Sequence, residues 1–168
     1  MLKRITDLIL AFLATIIFLP IVLLVAIAVR FTSPGPILYW SKRVGRNSDI
    51  FSMPKFRTMR INTPEVATHL LEDPSSYLTP IGTFLRKTSL DELPQLLSIW
   101  KGDMSFVGPR PALFNQHDLF SFRKNCGVDK IAPCLTGWAQ INGRDELDIA
   151  SKVELDKFYL QRGSLFLI

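Results

Sequence analysis

An aspartate and a glutamate stand side by side at Asp91-Glu92, within Thr88-Ser89-Leu90-Asp91-Glu92-Leu93-Pro94-Gln95. Two readings fit. One is a helix start: Ser89 and Glu92 have the spacing of a capping box, and acids favour the positive end of a helix dipole. The other is a reactive acid pair, in which one carboxylate attacks phosphorus and the other holds a divalent metal. At a helix N-terminus the dipole would keep such an aspartate ionised.

Basic residues recur around this pair. Arg86 and Lys87 lie just before it. Arg110 sits between two prolines in Gly108-Pro109-Arg110-Pro111. A fork-shaped donor on a stiff loop is what bidentate phosphate recognition needs; a surface arginine in a proline-rich turn has the same sequence. Lys55-Phe56-Arg57-Thr58-Met59-Arg60 alternates basic and apolar residues, so one edge of a strand there presents Lys55 and Arg57 together. An edge strand guarded by charge reads identically. Gln140, Asn142 and Arg144 surround Gly143, a composition that suits polar ligand contacts and equally a hairpin turn. Jointly these groups point to a phosphorylated substrate and a divalent metal. His69 and His117 are isolated and read as structural or exposed. Cys126 and Cys134 have no histidine partners and read as free thiols. No Walker loop, GxGxxG, GxSxG or metal-binding histidine pair is present.

The elements that must position these residues are short. Thr32-Ser33-Pro34-Gly35-Pro36 is a turn cluster. Ile37 to Trp40 reads as a strand or an interfacial piece, Val44 to Asp49 as a turn and Ile50 to Met59 as an irregular strand. Thr63-Pro64-Glu65 opens a short helix through Leu71. Ile81 to Lys87, Leu93 to Trp100, Ala112 to Lys124 and Leu147 to Gln161 carry helical periodicity. Pro133 to Gly143 reads as strand or loop. Helices dominate and strands are few, so the expected class is an α-rich α+β fold, irregular, and neither Rossmann nor barrel.

The remaining signal lies at the front. Ile5 to Val29 is 25 residues, nearly all apolar. Three readings compete: a transmembrane helix, a signal peptide cut near Ala26-Ile27-Ala28, and a re-entrant hairpin. The run far exceeds a signal h-region. Pro20 predicts a bend, and the arm from Ile5 to Leu19 is about 22 Å, too short to span a bilayer core of about 30 Å. Both flanks are basic: Lys3 and Arg4 before, Arg30, Lys42, Arg43 and Arg46 after. A hairpin with both ends in the cytoplasm satisfies both flanks, whereas a spanning helix satisfies one. Pro-kinked spanning helices are also common. The 168 residues are 48% hydrophobic, which excludes a disordered chain, and two cysteines exclude a disulfide framework. Net charge is +5. A basic domain on a membrane suits anionic headgroups or phosphorylated substrates; the chain has no nucleic-acid motif, so nucleic acid is not an expected partner.

Lys55-Phe56-Arg57-Thr58-Met59, the run from Ser89 to Gln95 through Gly102-Asp103-Met104-Ser105-Phe106-Val107-Gly108-Pro109-Arg110-Pro111, and Thr136-Gly137-Trp138-Ala139-Gln140-Ile141-Asn142-Gly143-Arg144 together resemble the monotopic phosphoglycosyl transferases of bacterial surface-glycan assembly. The resemblance covers nearly the whole chain. It implies transfer of a sugar 1-phosphate from a UDP-sugar, with an N-acetylated amino sugar as first guess, to undecaprenyl phosphate. Asp91 would attack the β-phosphorus and form a phosphosugar-aspartate intermediate, and Glu92, with Asp91, would hold Mg²⁺. Residues 1–32 would be a re-entrant membrane helix broken at Pro20, and 33–168 a catalytic domain facing the cytoplasm from the bacterial inner membrane. Lys55, Arg86 and Arg110 match family positions near the active site, and Asp156 matches a further family acid. The expected partners are the UDP-sugar, undecaprenyl phosphate and membrane lipids; a homodimer is compatible but not demanded.

The chain departs from the family pattern in three ways. Ala132-Pro133-Cys134 stands where Arg-Pro-Gly is usual, which questions the local turn and one phosphate contact. Relatives usually run on beyond Leu167-Ile168, and larger relatives carry extra N-terminal membrane helices, so the chain resembles the minimal form. A competing expectation is a non-catalytic, membrane-tethered module that binds anionic lipid or nucleotide sugar. It would keep the basic clusters without needing Asp91.

Overall fold

The computed structural model describes residues 2–64, 72–143 and 146–162. Its first element is a 31-residue helix, α1 (Leu2–Thr32), about 46 Å long at 1.5 Å per residue. The expected helix-break-helix is one helical element here. Pro20 lies inside it, where proline removes the hydrogen bond to the Ile16 carbonyl while the neighbouring turns carry the helix on. One face of α1 meets the rest of the protein. Asp7, Ala11, Ala14, Phe18, Val22, Val25 and Val29 recur at steps of three or four, as one helix face requires. Ala11 packs on Met53, Leu96, Ile99 and Met104; Val25 and Val29 pack on Phe56 and Leu85. The other faces expose Leu13, Ile16, Ile17, Leu23, Leu24 and Ile27. Among the described residues α1 alone is long and apolar enough to cross a membrane, and so large an apolar surface makes the protein membrane-associated.

A hairpin follows. β1 (Leu38–Val44) pairs antiparallel with β2 (Ile50–Phe56), with Tyr39 opposite Lys55, Ser41 opposite Met53 and Arg43 opposite Phe51. The first strand is longer than the sequence predicts because this pairing holds it to Val44. Asn47 and Ser48 adopt positive φ in the turn. Next come α2 (Gly82–Thr88), a 3₁₀ turn over Leu90–Gln95 and α3 (Leu96–Lys101). Ser89, left-handed at φ 57°, ends α2 and opens the tight turn. β3 (Ser105–Val107) pairs parallel with β4 (Cys134–Thr136). Between them runs α4 (His117–Asn125), and after them α5 (Trp138–Ile141) and α6 (Ile149–Arg162). Residues 133–143 thus form a strand and a helical turn, not a hairpin. α4 and α6 close a small core at Ala112, Leu119 and Val153. The α+β class holds, with two two-stranded sheets among the described residues. The helix predicted over 63–71 runs into residues outside the described set, as do His69 and Arg144.

Candidate active site

The 3₁₀ turn carries Asp91 and Glu92 across β2 and beneath α1. The capping box is not formed: the Ser89 side chain makes no cap hydrogen bond. The Glu92 carboxylate instead turns to two cations. Lys55 Nζ donates to Glu92 Oε1 at 2.8 Å and Arg110 Nη2 to the same oxygen at 2.6 Å. Arg110 Nη1 lies 3.5 Å from Oε2. Three separate segments, β2, the 3₁₀ turn and the Pro109–Pro111 loop, therefore meet at one carboxylate.

The two adjacent acids are pushed in opposite directions. Burial disfavours ionised Glu92, but Lys55 and Arg110 outweigh it and hold the carboxyl down at about 2. At Asp91, burial together with the Glu92 charge outweighs Lys55 and Arg86, and its carboxyl rises above the ordinary value. Burial likewise lowers Lys55 against the pull of Glu92. Such a pair, one acid firmly ionised and one made more basic, is a recurrent arrangement for splitting roles between neighbouring carboxylates.

A third cation joins them that sequence reading did not assign to the site. Arg43 shares the hairpin face with Tyr39, Ser41, Met53 and Lys55. Burial and the nearby Arg110 charge bring its guanidinium down to about 10, while Tyr39 and Glu92 raise it. The signal was available only through the register of β1 on β2. The pairing of Lys55 with Arg57 predicted from alternation does not form, because β2 ends at Phe56. Arg57 is buried and donates to the Ser33 carbonyl at 2.9 Å, to Ser33 Oγ at 2.7 Å and to the Pro34 carbonyl at 2.5 Å, tying the end of α1 to the domain. Arg86 Nε donates to Thr58 Oγ1 at 3.0 Å and faces Asp91 electrostatically.

A cleft of about 370 Å³ opens at Glu92 and Arg110. One wall is apolar, made by Ala14 and Phe18 of α1 with Leu93, Leu96, Phe106, Leu135 and Ile141; Ser89, Thr136 and Gln140 complete the polar side. Both amide atoms of Gln140 are buried, and among the described residues neither has a hydrogen-bond partner. In a cleft wall, such an amide has donor and acceptor capacity that the described residues leave unused. Asn142 lies apart: it is exposed and donates to the Trp138 carbonyl at 2.8 Å. Asp156 is buried away from the cleft and pairs with Arg123 at 2.7 Å. Arg144 falls outside the described residues.

The β3–β4 pair fixes the loop behind Arg110. Gly108 (φ 149°) donates to the Thr136 carbonyl at 2.9 Å, and a Cβ on Gly108 would come within 2.5 Å of Cys134 Sγ. A Cβ on Gly137 would run into the Gly108 carbonyl. These two glycines let the strands and loop approach. Cys134, at the position of the family's glycine, is an ordinary strand residue whose thiol fills the space that Gly108 leaves. Burial pushes that thiol up to about 12, so it stays protonated.

Among the described residues no three His, Cys, Asp or Glu side chains converge. The candidate donors are the adjacent carboxylates Asp91 and Glu92. That fits Mg²⁺, which commonly takes one or two carboxylates and completes its shell with water and substrate phosphates. Glu92 Oε2 is the less engaged of its two oxygens.

A family model described as bacterial sugar transferase matches residues 1–167. An uncharacterized sugar transferase of Haemophilus influenzae is 39% identical over 98% of this chain and 38% of its own length. Exopolysaccharide production protein ExoY of Sinorhizobium fredii is 38% identical, over 97% of this chain and 78% of its own. UDP-glucose:undecaprenyl-phosphate glucose-1-phosphate transferase of Escherichia coli is 37% identical, over 99% and 37%. The chain thus spans less than two fifths of the first and third relatives and about four fifths of the second.

Proposed function

The chain belongs to the bacterial sugar transferase family, and from that premise we propose that it transfers a sugar 1-phosphate from a UDP-sugar to undecaprenyl phosphate, releasing UMP. The observation that carries this reading is the cleft: the Glu92–Arg110 pair stands on its polar side, with Lys55 bound to Glu92 behind it, and Ala14 and Phe18 of α1 form part of its apolar wall. A lipid phosphate and a soluble diphosphate can meet there. Asp91, buried and made more basic, attacks the β-phosphorus; the bond from that phosphorus to the UMP oxygen breaks, and UMP leaves with the electron pair. A phosphosugar-aspartate remains. A lipid phosphate oxygen then attacks the same phosphorus and the Asp91 carboxylate departs unchanged. Lys55, Arg110 and Arg86 hold phosphate oxygens, and Gln140 offers its amide to the sugar nucleotide. Held by Glu92 and Asp91, Mg²⁺ would offset negative charge on the diphosphate.

The membrane arrangement follows the same reading: residues 1–32 enter the membrane, turn back by a kink at Pro20 within the helical element, and leave on the side they came from, with 33–168 facing the cytoplasm from the inner membrane. Two contacts support it. Arg4 donates to the Ile99 and Trp100 carbonyls near one end of α1, while Arg57 clasps Ser33 and Pro34 just past the other. A single body that grips both ends of the helix favours an arrangement with both ends on one side. Single cysteines introduced at Leu2 and Phe31 are expected to react with a membrane-impermeant maleimide only in inverted vesicles. Labelling of either in intact spheroplasts would overturn the topology.

The direct test is UMP release by detergent-purified protein given undecaprenyl phosphate, Mg²⁺ and a panel of UDP-sugars led by N-acetylated amino sugars. Release with at least one donor, stopped by EDTA and restored by Mg²⁺, is expected. Silence across the panel would favour a non-catalytic binding module, and EDTA-resistant turnover would remove the metal role from Glu92.

A further inference from the structure

Pro109 and Pro111 have no N–H, so the loop presenting Arg110 cannot bond itself into a regular element. Its carbonyls need donors from elsewhere. Three consecutive carbonyls each find a different one. Pro109 O accepts from Cys134 N at 2.8 Å, Arg110 O from Arg123 Nη1 at 2.7 Å and Pro111 O from Arg43 Nη1 at 3.1 Å. The middle donor is itself fixed. Arg123 Nε and Nη2 both reach Asp156 Oδ2, at 2.9 and 2.7 Å, across the packed helices α4 and α6. Asp156 and Arg123 are both buried.

A buried ion pair is weak evidence for stability, since an apolar pair of like volume often serves as well. What an apolar pair cannot supply is the third donor, aimed at the backbone of the residue whose side chain grips Glu92. We infer that the Asp156–Arg123 pair is a brace that positions Arg110, and that Asp156 influences the reaction only through it. The inference rests on the phosphosugar-transfer reading for its kinetic consequence but not for its structural one. Asp156 is a positioning residue, and it touches no reacting atom. Arg43 supports the neighbouring carbonyl independently of Asp156, so loss of Asp156 loosens the loop without releasing it.

The test uses the full chain in detergent, with Asp156→Asn and Arg123→Lys. Lysine can still pair with Asp156 but lacks the fork that reaches two partners at once, so it separates the brace from the fold of α4 and α6. Hydrogen exchange of the amides in 108–114 is expected to quicken in both variants, while that of the α1–β2 core stays unchanged. Kinetically, each variant should lower kcat roughly ten- to a hundredfold, as a small misplacement of a catalytic group does. In an Arg110→Ala background the same changes should have almost no further effect. Unchanged exchange in 108–114 with Arg123→Lys overturns the brace, whatever the activity. Kinetic losses that add to Arg110→Ala overturn the claim that Asp156 acts through Arg110. A wild type without UMP release sinks the transfer reading instead, and the exchange measurement still decides the brace.

Discussion

Asp91→Asn is expected to abolish UMP release, by roughly 10⁴-fold or more, as loss of a covalent nucleophile does, and at the same time to raise the melting temperature near neutral pH. The first half follows from the proposed chemistry. Asparagine has the shape of aspartate but cannot form the acyl phosphate, so no phosphosugar adduct should appear by intact-mass measurement after a rapid quench. The second half follows from burial. Asp91 is 7% exposed, and its carboxyl lies above the ordinary value because burial and Glu92 outweigh Lys55 and Arg86. A carboxyl that binds its proton more tightly in the folded state favours folding at low pH, and that advantage is lost as pH rises through its folded value. At neutral pH the protein carries the full cost of the buried charge, and a neutral asparagine escapes it. The melting gap should therefore close below the ordinary aspartate range. Wild-type release by the variant would remove Asp91 as nucleophile, and a lowered melting temperature would contradict the burial argument.

The proposed nucleophile thus sits at a cost to stability, a property no local sequence feature announces. The gathering of Lys55 and Arg110 at Glu92, next to Asp91, was anticipated because each residue announces itself by a local feature: adjacent acids, a cation within a strand, an arginine between prolines. The apolar run of α1 was legible for the same reason. The capping box failed because two cations from distant segments outbid a backbone N–H for the Glu92 carboxylate. Arg43 was illegible because its place depends on cross-strand register, and Arg57 was grouped with Lys55 because alternation does not say where a strand ends. Asp156 entered only by family resemblance, and its link to Arg110 needs α4 and α6 packed together. Pro20 predicted a break; the helical element continues past it, because a proline removes one backbone hydrogen bond and a helix accommodates that by kinking without ending.

Glu92→Gln, one residue along, should shift stability the opposite way. Its carboxylate is the shared counter-charge of Lys55 and Arg110, with Arg43 close behind. Removing one partner from a partly buried ionic cluster leaves cations without compensation, a loss toward the lower end of the range of about 3–5 kcal/mol seen for fully buried pairs. Linkage gives a similar size: a carboxyl held at about 2 instead of its ordinary 4.5 corresponds to about 3 kcal/mol at about 1.36 kcal/mol per pH unit. The sign is that of a depressed acid. The contribution is complete above the ordinary value and drains away as pH falls toward 2. Wild type and Glu92→Gln should thus differ widely in urea midpoint near neutral pH and converge in strong acid. Pyrophosphate, as a stand-in for a donor diphosphate, should raise the melting temperature of Glu92→Gln more than that of wild type, because the orphaned cations then have an anion to hold. A variant as stable as wild type at neutral pH would show that Lys55 and Arg110 do not depend on Glu92. A stable variant indifferent to pyrophosphate would also deny that these cations form a phosphate site. If the two substitutions do move stability in opposite directions, neighbouring acids of the same charge are doing different jobs. One is kept ionised to organise the cations, and the other is kept buried and basic so that it can react.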